Sequence, residues 1–333
     1  MKVIIPVAGF GTRLRPHTLH NPKVLLNVGG KPMIHYIIEQ LLADKIATSI
    51  ILITGFLGDK IKHNLNNTFN FKFDYVVQDE AKGLGHAVYC ANTIFKNKND
   101  ETLIILGDTL FDVDLKKMTG SKDSVIGVKV VDDPRRFGVV EKDKKGYITR
   151  FVEKPGSKEI SKSNEAIVGL YYLKNSRVLF NALEHIMENN ITVKGEFQLT
   201  DALEYMINQN EKMKTFTVEG WLDCGKPETL LETNRYLLKK NEKTKKTKRS
   251  NYKTSKIIEP VFIGKNVEIE NSVIGPYATI NDSCIIRNSV IQDSIIEKSA
   301  RIENTVLVDS IIGEGASVKR DILKLSLGNH SEI

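Results

Sequence analysis

The residues best suited to chemistry lie in one short stretch near the start of the chain, from Gly9 to Lys23. The stretch begins Gly-Phe-Gly-Thr-Arg-Leu-Arg-Pro and ends Asn-Pro-Lys. Its glycines allow backbone N–H groups to approach an anion without a Cβ in the way. The Arg13 guanidinium and the Lys23 ammonium add positive charge that backbone dipoles do not supply. These residue types in this order predict a loop that binds phosphate groups.

The elements predicted on either side of the loop are those that present phosphate loops in α/β proteins. The apolar run Lys2 to Val7 predicts a strand, and apolar residues at helical spacing from Met33 to Ala43 predict a helix that Pro32 can start. Two commoner glycine loops are excluded. A P-loop needs a Gly-Lys-Ser/Thr that is absent here, and Leu14 stands where a dinucleotide-binding fingerprint needs glycine or alanine.

The opening loop resembles the signature of the sugar-1-phosphate nucleotidylyltransferases, which join a sugar 1-phosphate to a nucleoside triphosphate and release pyrophosphate. Here the signature reads Gly9-Phe-Gly-Thr-Arg-Leu14, then Pro22-Lys23, then Lys31-Pro-Met33. The resemblance implies catalytic roles for Arg13, Lys23 and Lys154. It implies nucleotide binding by a set in and beyond the loop: Ala8, Gly9, Gly11, Thr12, Arg13, Gln78, Gly83 and Asp108.

Strands alternate with helical stretches through the first two thirds of the chain. Apolar runs at Ser49 to Thr54, Phe71 to Val77 and Thr102 to Leu106 predict further strands, with helices expected over Gly58 to Leu65 and Gly85 to Ile94. This alternation predicts a doubly wound, mostly parallel, Rossmann-like sheet. Ligands bind beyond the carboxyl ends of the strands in such sheets, where Gly9 and Asp108 are both expected.

Two aspartates, Asp108 and Asp223, are the predicted ligands of a Mg²⁺ cofactor. Asp108 closes a predicted strand in Leu-Gly-Asp, and Asp223 lies in Gly-Trp-Leu-Asp-Cys-Gly. A lone aspartate after a strand is more often a cap or turn former. The resemblance to the family's Gly-Asp metal ligand favours the metal role, which suits carboxylates that face phosphates. Because they are far apart in sequence, only the fold could bring them to one ion.

Gln78 and Gly83 are the residues expected to recognise the base. They lie in Gln-Asp-Glu-Ala-Lys-Gly-Leu-Gly-His-Ala, after a predicted strand. An amide can present a donor and an acceptor to a pyrimidine edge, and a glycine turn can lay backbone against a base. The residues alone indicate only a turn into a helix, and the base-reading role is implied by the resemblance. We expect His86 to pack on the first turn of that helix.

By the same resemblance, the middle of the chain binds the sugar phosphate through Gly138, Glu153, Lys154, Gly169 and Glu196. Backbone at Gly138 and the Glu153 carboxylate would contact sugar hydroxyls, and Lys154 would bind the phosphate. Glu-Lys-Pro is a weak motif by itself, so these roles depend on the order and spacing of the set. A helix is expected to open after Gly195, with Thr200 or Asp201 as its N-cap.

The sequence leaves the exact substrates open. Features of thymidylyltransferases and of uridylyltransferases that make UDP-glucose both occur, so we expect glucose 1-phosphate with dTTP or UTP. Alternatives are N-acetylglucosamine-1-phosphate uridylyltransferase and mannose-1-phosphate guanylyltransferase. The last is disfavoured because guanylyltransferases usually carry Leu-Ala-Gly-Gly and Pro-Lys-Pro where this chain has Pro-Val-Ala-Gly-Phe-Gly and Pro-Lys-Val. A non-catalytic, nucleotide-sugar-binding regulator is the alternative from another class, and the charged residues kept in the site argue against it.

From Ile257 onward, aliphatic residues recur every five or six positions between small and polar ones. This hexapeptide pattern predicts a parallel β-helix of about four coils, each of roughly 18 residues. The region resembles the left-handed β-helix that follows the catalytic domain in the longer sugar nucleotidyltransferases, which implies the same hand here. The predicted domains are therefore 1–238 (catalytic), 239–256 (lysine-rich linker) and 257–333 (β-helix). We expect homo-oligomers through the β-helix. A second, acyltransferase activity is not expected, because His330 is the only histidine of this tail.

Composition restricts the partners and the compartment. Nine of the 48 lysines and arginines fall in residues 239–256, so the net charge of +7 belongs to one segment and predicts no nucleic-acid-binding face. No apolar run approaches the ~20 residues of a membrane span, and the opening strand disfavours a signal peptide. Three widely spaced cysteines argue against a disulfide framework or zinc site. We expect a cytoplasmic protein that binds neither membranes nor nucleic acids.

Overall fold

The computed structural model describes residues 1–95, 99–157, 160–242 and 252–321. No helix in these ranges has the length and apolar character needed to cross a membrane. By its contacts the chain divides into two compact units: the first contains Met1–Leu26 and Pro32–Gly225, and the second contains Asn27–Lys31 and the chain from Lys226 onward. Residues 243–251 of the predicted linker, and His330, lie outside the described residues. The predicted domain limits at 238 and 256 stay a prediction.

The chain up to Gly225 alternates short strands and helices, as the sequence predicts. The strands are β1 Lys2–Pro6, β2 Asn27–Val28, β3 Lys31–Pro32, β4 Ser49–Thr54, β5 Phe73–Val77, β6 Thr102–Ile105, β7 Thr109–Asp112, β8 Ser124–Val130, β9 Val139–Lys142, β10 Ile148–Val152, β11 Glu165–Leu173, β12 Met213–Thr217 and β13 Gly220–Asp223. The helices are α1 Met33–Asp44, α2 Gly58–Thr68, α3 Leu84–Cys90, α4 Asn92–Phe95, α5 Leu115–Thr119, α6 Ser176–Glu188 and α7 Leu199–Asn208.

A nine-stranded mixed sheet forms the centre of the first unit, with β10-β9-β11-β6-β1-β4-β5 as its main path. Off this path, β8 pairs with β11, and β12 pairs with β8. Strands β6, β1, β4 and β5 are parallel to one another, which confirms the Rossmann-like half. Strand β11 runs antiparallel to β6, β8 and β9. Only a short turn joins β9 to β10, and such connections require antiparallel pairing. The sheet is therefore more mixed than the alternation alone suggests.

The parallel half is buried on both faces. In β4 the four consecutive residues Ile50 to Ile53 are all fully buried. Because neighbouring residues of a strand point to opposite faces, helices must cover both sides. On one face of the sheet, helices α3, α6 and α7 contribute residues such as Val88, Leu183 and Leu203 to the hydrophobic core. This core holds the carboxyl ends of the strands, and hence the loops that follow them, in fixed positions.

Two expectations about helices are corrected by the structure. The helix expected over Gly85 to Ile94 is two helices, α3 and α4, that meet at Ala91. The N-cap of α7 is Gln198 rather than Thr200 or Asp201, which lie in its first turn. The helix begins early because the preceding residue is fixed by tertiary hydrogen bonds: Gly85 N donates to Phe197 O at 2.8 Å, and Phe197 N donates to Lys82 O at 2.8 Å.

The second unit contains Asn27–Lys31 (β2 and the first residue of β3), helix α8 Pro227–Asn241 and a parallel β-helix. The β-helix strands are β14 Lys256–Ile257, β15 Val261–Ile263, β16 Glu268–Glu270, β17 Val273–Ile274, β18 Ala278–Ile280, β19 Ile285–Arg287, β20 Val290–Gln292, β21 Ile295–Ile296, β22 Arg301–Glu303, β23 Val306–Val308, β24 Ile311–Ile312 and β25 Ser317–Lys319. They form three parallel four-stranded sheets, which confirms the predicted four coils. The hand of the coil stays a prediction.

The coils are shorter than predicted. Ile269 pairs with Ile286, and Ile286 with Ile302, so successive coils are 17 and 16 residues long rather than about 18. In three of the four coils, one corner is a single left-handed asparagine, namely Asn271, Asn288 or Asn304. Asparagine tolerates this conformation better than most residues. A single residue can therefore turn the chain at this corner, which keeps the coil short. The side chains of these asparagines hydrogen-bond from coil to coil.

Candidate active site

The glycine loop follows β1 and is closely packed on its inner side. Gly11 has a left-handed φ of 63°, and a Cβ there would lie 3.0 Å from Thr18 Cγ2 and 3.1 Å from Lys23 Cβ. The Thr18 hydroxyl donates to Gly11 O at 2.8 Å. Leu14 is fully buried and anchors the short 3₁₀ turn after the loop, while Arg13 beside it is exposed. The loop is thus rigidly held with its arginine outside.

The outer side of the same loop is open. Among the described residues, no atom beyond the chain neighbours lies within 4 Å of the position of a Cβ on Gly9. Gly9 and Thr12 are exposed, and Ala8 is half-buried with its backbone against Gly55. Space above glycine backbone is what an approaching phosphate requires.

Lys23 and Asp108 form an ion pair at the carboxyl end of the parallel strands. Lys23 Nζ lies 2.6 Å from Asp108 Oδ2, with Lys23 only 9% exposed and the Asp108 side chain 38% exposed. Burial by itself raises the pKa of Asp108. The charge and hydrogen bond of Lys23, with a further hydrogen bond from the Thr109 hydroxyl, outweigh it, so the pKa is lowered overall. Asp108 is therefore a carboxylate at neutral pH.

The second aspartate reaches this place through strand pairing. Strands β7 and β13 are antiparallel, and Asp223 lies opposite Thr109. Cys224 N also donates to Asp108 O at 3.2 Å. Burial, and then the charge of Asp108, raise the pKa of Asp223, while Lys23 and Arg13 act in the opposite direction. The fold therefore brings together the two aspartates, as the sequence analysis required.

Gly225 lets Arg13 lie beside Asp223, a role that the sequence analysis missed. A Cβ on Gly225 would lie 3.0 Å from Asp223 Oδ1 and 3.1 Å from Arg13 Nη2. A side chain at this position would displace one of the two charged groups. The only feature of the sequence that could have indicated this role is the position of Gly225, two residues after Asp223. Arg13, Lys23, Asp108 and Asp223 form a cluster of four charged side chains, which we name the phosphate corner after the role that the sequence predicts for it.

The donor set of the phosphate corner fits a magnesium ion that shares its coordination with a substrate. Mg²⁺ is commonly held by one or two carboxylates plus substrate phosphates and water, and Asp108 and Asp223 provide two carboxylates. Within the described ranges, no group of three or more histidines, cysteines, aspartates and glutamates could hold a metal by itself. The arrangement therefore does not fit a structural cage such as a zinc site.

Gln78 is held beside the turn that leads into α3. Its backbone N–H donates to Thr54 O at 2.8 Å, and its side-chain Nε2 lies 3.1 Å from Gly83 O and 3.0 Å from His86 Nδ1. Gln78 is buried, with 9% of its surface exposed. The sequence analysis expected His86 to pack on the first turn of the helix. The contact from His86 to the Gln78 amide was not foreseen.

The turn at Gly83 is bound to the segment before α7. Gly83 has a left-handed φ of 100°, and a Cβ there would lie 2.6 Å from Phe197 O and 2.9 Å from Glu196 Cβ. With the two backbone hydrogen bonds of Phe197, this contact places the predicted base-reading residue against the exposed Glu196. The structure therefore brings these two predicted residues together.

Glu153, Lys154 and Gly138 form a second group of predicted site residues. Glu153 Oε1 lies 2.9 Å from Lys154 Nζ, and Glu153 Oε2 accepts from the Thr200 hydroxyl at 3.0 Å. The Lys154 side chain is 53% exposed, so its ammonium group is accessible from solvent. A Cβ on Gly138 would lie 3.0 Å from Glu153 Oε2, so Gly138 keeps the carboxylate accessible.

Gly169 has a packing role in the structure. It lies buried in β11, where the pairing with β8 shifts register, and has φ 87°. A Cβ there would lie 2.5 Å from Leu106 Cδ1, and Leu106 N donates to Gly169 O at 3.0 Å. Gly169 thus allows β11 to approach the residue two positions before Asp108. The sugar contact predicted for Gly169 stays a prediction.

Glu153 also belongs to an acidic cluster that the sequence analysis did not identify, formed by Glu153, Asp201 and Glu204. Burial raises the pKa of Asp201 to about 6, and the charges of Glu153 and Glu204 add to the effect. Asp201 Oδ2 is buried and has no hydrogen-bond partner among the described residues, while Glu204 Oε2 accepts from Phe151 N at 2.6 Å. The signal was the spacing of Asp201 and Glu204, which places both on one face of a helix.

Comparison with known proteins identifies the family of the chain. The sequence profile described as "Nucleotidyl transferase" matches residues 2–240, so the chain belongs to the nucleotidyl transferase family. Its matched relatives place it among the sugar-1-phosphate nucleotidyltransferases.

Two relatives illustrate the range of similarity. "Bifunctional protein GlmU" of Methanocaldococcus jannaschii is 36% identical over 275 residues, which cover 82% of this chain and 61% of the relative. "Glucose-1-phosphate thymidylyltransferase" of Streptomyces griseus is 26% identical over 325 residues, which cover 90% of this chain and 88% of the relative. The chain spans only a little more than half the length of GlmU proteins such as that of Methanococcus vannielii, where the match covers 55%.

A solved structure has a fold similar to part of this chain. It is titled as the crystal structure of UDP-glucose pyrophosphorylase complexed with UDP-glucose. The match has a TM-score of 0.61 and 27% sequence identity, and covers 72% of this chain and 98% of the other.

Proposed function

We propose that this protein joins a sugar 1-phosphate to a nucleoside triphosphate, releasing pyrophosphate and a nucleoside-diphosphate sugar. The observation that carries the proposal is the phosphate corner. Lys23 pairs with Asp108 at 2.6 Å, and Asp223 and Arg13 lie together at Gly225, beside a glycine loop with an open outer side. Family membership and the names of the relatives support the same reaction class.

The proposed reaction is an in-line attack by a phosphate oxygen of the sugar phosphate on the α-phosphorus of the triphosphate. The P–O bond to pyrophosphate breaks as the new P–O bond forms, with no covalent enzyme intermediate. Because the nucleophile is already an anion, the reaction depends on positioning and charge neutralisation more than on a general base. The exposed, paired Lys154 is suited to exchange its carboxylate partner for the sugar phosphate.

The remaining charges act on the triphosphate. Backbone N–H groups of the loop and the side chains of Arg13 and Lys23 would bind the α-phosphoryl group and the departing pyrophosphate. Asp108 and Asp223 are the residues that would hold Mg²⁺. The ion, when bound, would supply neutralisation of negative charge on phosphate oxygens.

We propose glucose 1-phosphate with dTTP or UTP as the substrates. Similarity to a glucose-1-phosphate thymidylyltransferase along 90% of the chain supports this choice, as does the fold shared with a UDP-glucose pyrophosphorylase. UTP with N-acetylglucosamine 1-phosphate and GTP with mannose 1-phosphate are the alternatives that the sequence leaves open.

The test is pyrophosphate release with Mg²⁺ across dTTP, UTP, GTP, ATP and CTP, each with glucose, N-acetylglucosamine, galactose and mannose 1-phosphates. A dominant signal with dTTP or UTP plus glucose 1-phosphate supports the proposal. Activity only with GTP and mannose 1-phosphate would overturn the base and sugar assignments but keep the reaction class. No release in any pair, with nucleotide sugars still bound, would favour the non-catalytic regulator.

Homo-oligomerisation through the β-helix and a cytoplasmic location stay predictions. Val306 and Val308 are 67% and 48% exposed on strand β23, and they are apolar surface that a second copy could cover. Analytical ultracentrifugation of the full chain and of its Val306→Glu variant tests this. A concentration-dependent oligomer that the substitution weakens supports the prediction, whereas a monomeric wild-type chain contradicts it.

A further inference from the structure

The orientation of the Gln78 side-chain amide is decided by its neighbours. One amide atom lies 3.1 Å from Gly83 O, a carbonyl oxygen that can only accept a hydrogen bond. The atom that faces it must therefore be the nitrogen, Nε2. This conclusion does not depend on how nitrogen and oxygen are told apart in the side chain itself, because the reversed amide would place two acceptors against each other.

His86 completes this arrangement from the first turns of α3. Its Nδ1 lies 3.0 Å from the same Nε2, whose other hydrogen points to it, so Nδ1 must be unprotonated and accept. Burial lowers the pKa of His86, and so does the charge of Lys82. The charge of Glu80 and a hydrogen bond to its backbone act the other way, and Glu80 also pairs with Lys82 at 2.5 Å. The neutral ring is thus the form that fits.

The consequence concerns the other atom of the amide. Gly83 and His86 occupy both hydrogens of Nε2, which leaves the acceptor Oε1 as the group that Gln78 can offer to a ligand. Among the residues that the structure describes, Oε1 has no hydrogen-bond partner. Gln78 is 9% exposed, so the amide has little room to find another orientation.

We propose that His86 is a positioning residue for base selection: it locks the Gln78 amide so that Oε1 accepts a hydrogen bond from the base. Uracil and thymine carry an N–H at ring position 3 and can donate to Oε1, whereas cytosine carries a lone pair there. Two acceptors would then face each other, which a site built around one hydrogen bond rejects strongly. The inference rests on the proposed function, because it takes Gln78 to face the base.

The test compares three full-length variants with the wild type. His86→Leu removes the acceptor, His86→Asn keeps one near the position of Nδ1, and His63→Leu makes the same change at an exposed histidine of α2 as a control. KM and kcat are measured for the preferred pyrimidine triphosphate and for CTP, and equilibrium binding of UTP and CTP is measured in parallel. Circular dichroism reports whether each variant is folded.

We expect His86→Leu to raise the KM of the preferred pyrimidine triphosphate about tenfold with kcat little changed, the effect of one lost hydrogen bond. Its preference for UTP over CTP should fall, and His86→Asn should recover most of both properties. In the wild type, the KM should also rise as the pH falls and His86 takes up a proton on Nδ1. That rise should be absent in His86→Asn.

Unchanged nucleotide preference and pH dependence in both His86 variants would overturn the positioning role and leave the proposed function intact. Wild-type binding that favours CTP, or purine triphosphates alone, would overturn the role of Gln78 as well. Absence of turnover would refute the proposed function, and the binding comparison between UTP and CTP would still decide the role of His86.

Discussion

The phosphate corner and the acidic cluster each concentrate carboxylates, but they balance their charge in different ways. In the phosphate corner two acids lie with two cations. The pKa of Asp108 is lowered because Lys23 outweighs its burial, while burial and the charge of Asp108 raise the pKa of Asp223. In the acidic cluster three acids lie near one exposed cation, Lys154, and burial raises the pKa of Asp201 to about 6. Opposite pKa shifts of two aspartates in one unit follow from their neighbours.

This difference in charge balance indicates the type of ligand that each region is suited to bind. Charged groups that are already paired with opposite charges can exchange partners when a charged ligand arrives, which suits the phosphate corner to a triphosphate and a cation. Carboxylates that accept from a hydroxyl and a backbone N–H, as Glu153 and Glu204 do, are suited to the neutral hydroxyls of a sugar. Substitutions in the two regions should therefore affect different kinetic constants.

The largest effect is expected from removing charge in the phosphate corner. Lys23→Ala, Asp108→Asn and Asp223→Asn should each lower kcat by on the order of a hundredfold or more, because a positioned charge of this kind is worth ~3–4 kcal/mol in the transition state. Pyrophosphate release measures the effect, and Asp132→Asn, at an exposed aspartate, is the matched control. Near-normal rates in any two of the three variants would show that the reaction occurs elsewhere.

A smaller effect, on another constant, is expected in the acidic cluster. Glu153→Gln should raise the KM of the sugar 1-phosphate about tenfold and leave the KM of the triphosphate unchanged, because the carboxylate would accept from sugar hydroxyls and hold Lys154. Initial rates with each substrate varied in turn separate the two constants. Thr200→Val, which removes only the hydroxyl that Glu153 accepts from, should have less effect. If Glu153→Gln changed only the KM of the triphosphate, the assignment of the two regions to different substrates would be contradicted.

Alanine substitutions at Gly11 and Gly9 test whether the glycine loop is closely packed on its inner side and open on its outer side. Gly11→Ala should lower the free energy of unfolding by about 1–2 kcal/mol, because alanine is strained at a φ of 63° and its Cβ would press on Thr18 and Lys23. Gly9→Ala, where the space is open, should be nearly neutral. Urea unfolding followed by fluorescence compares the two variants. Equal destabilisation would contradict the open outer side of the loop.

The smallest effect is expected from the protonation of Asp201. Its pKa in the folded protein, about 6, lies above the ordinary 3.8, so its stabilising contribution is complete below about pH 4 and is lost as the pH rises through 6. Asp201→Asn should therefore raise the free energy of unfolding at pH 7 by about 1 kcal/mol, a modest value because the group is partly exposed. The gain should disappear near pH 4. A destabilised variant at pH 7 would show that the ionised carboxylate is held by a cation.

The glycine loop and the repeat region could be predicted from the sequence because both are local. Gly9 to Lys23 is one continuous segment between an apolar strand and a helix, and the β-helix repeats its pattern over four coils. The predicted coil length was slightly too long, because a single left-handed residue such as Asn288 turns the chain in fewer residues than the prediction assumed. Local sequence patterns thus predict the architecture of both regions, but they do not predict the details of the turns.

Contacts between distant segments could not be predicted in the same way. The meeting of Asp108 and Asp223 depends on the pairing of Thr109 with Asp223, and the start of α7 depends on the hydrogen bonds of Phe197. The acidic cluster combines Glu153 with two residues about fifty positions later. The resemblance to a known family named Asp108, Asp223 and Glu153, and tertiary packing decided which residues each of them meets.

The account is tested most directly by identifying the products of the wild-type protein. The protein is incubated with Mg²⁺, dTTP or UTP, and glucose 1-phosphate, and nucleotide sugar and pyrophosphate are quantified by mass spectrometry and a coupled assay. We predict equal amounts of the two products, formed only when both substrates are present. Pyrophosphate without the sugar phosphate, or no nucleotide sugar from any triphosphate and sugar phosphate, would contradict the proposal that the phosphate corner and the Glu153–Lys154 group serve one reaction.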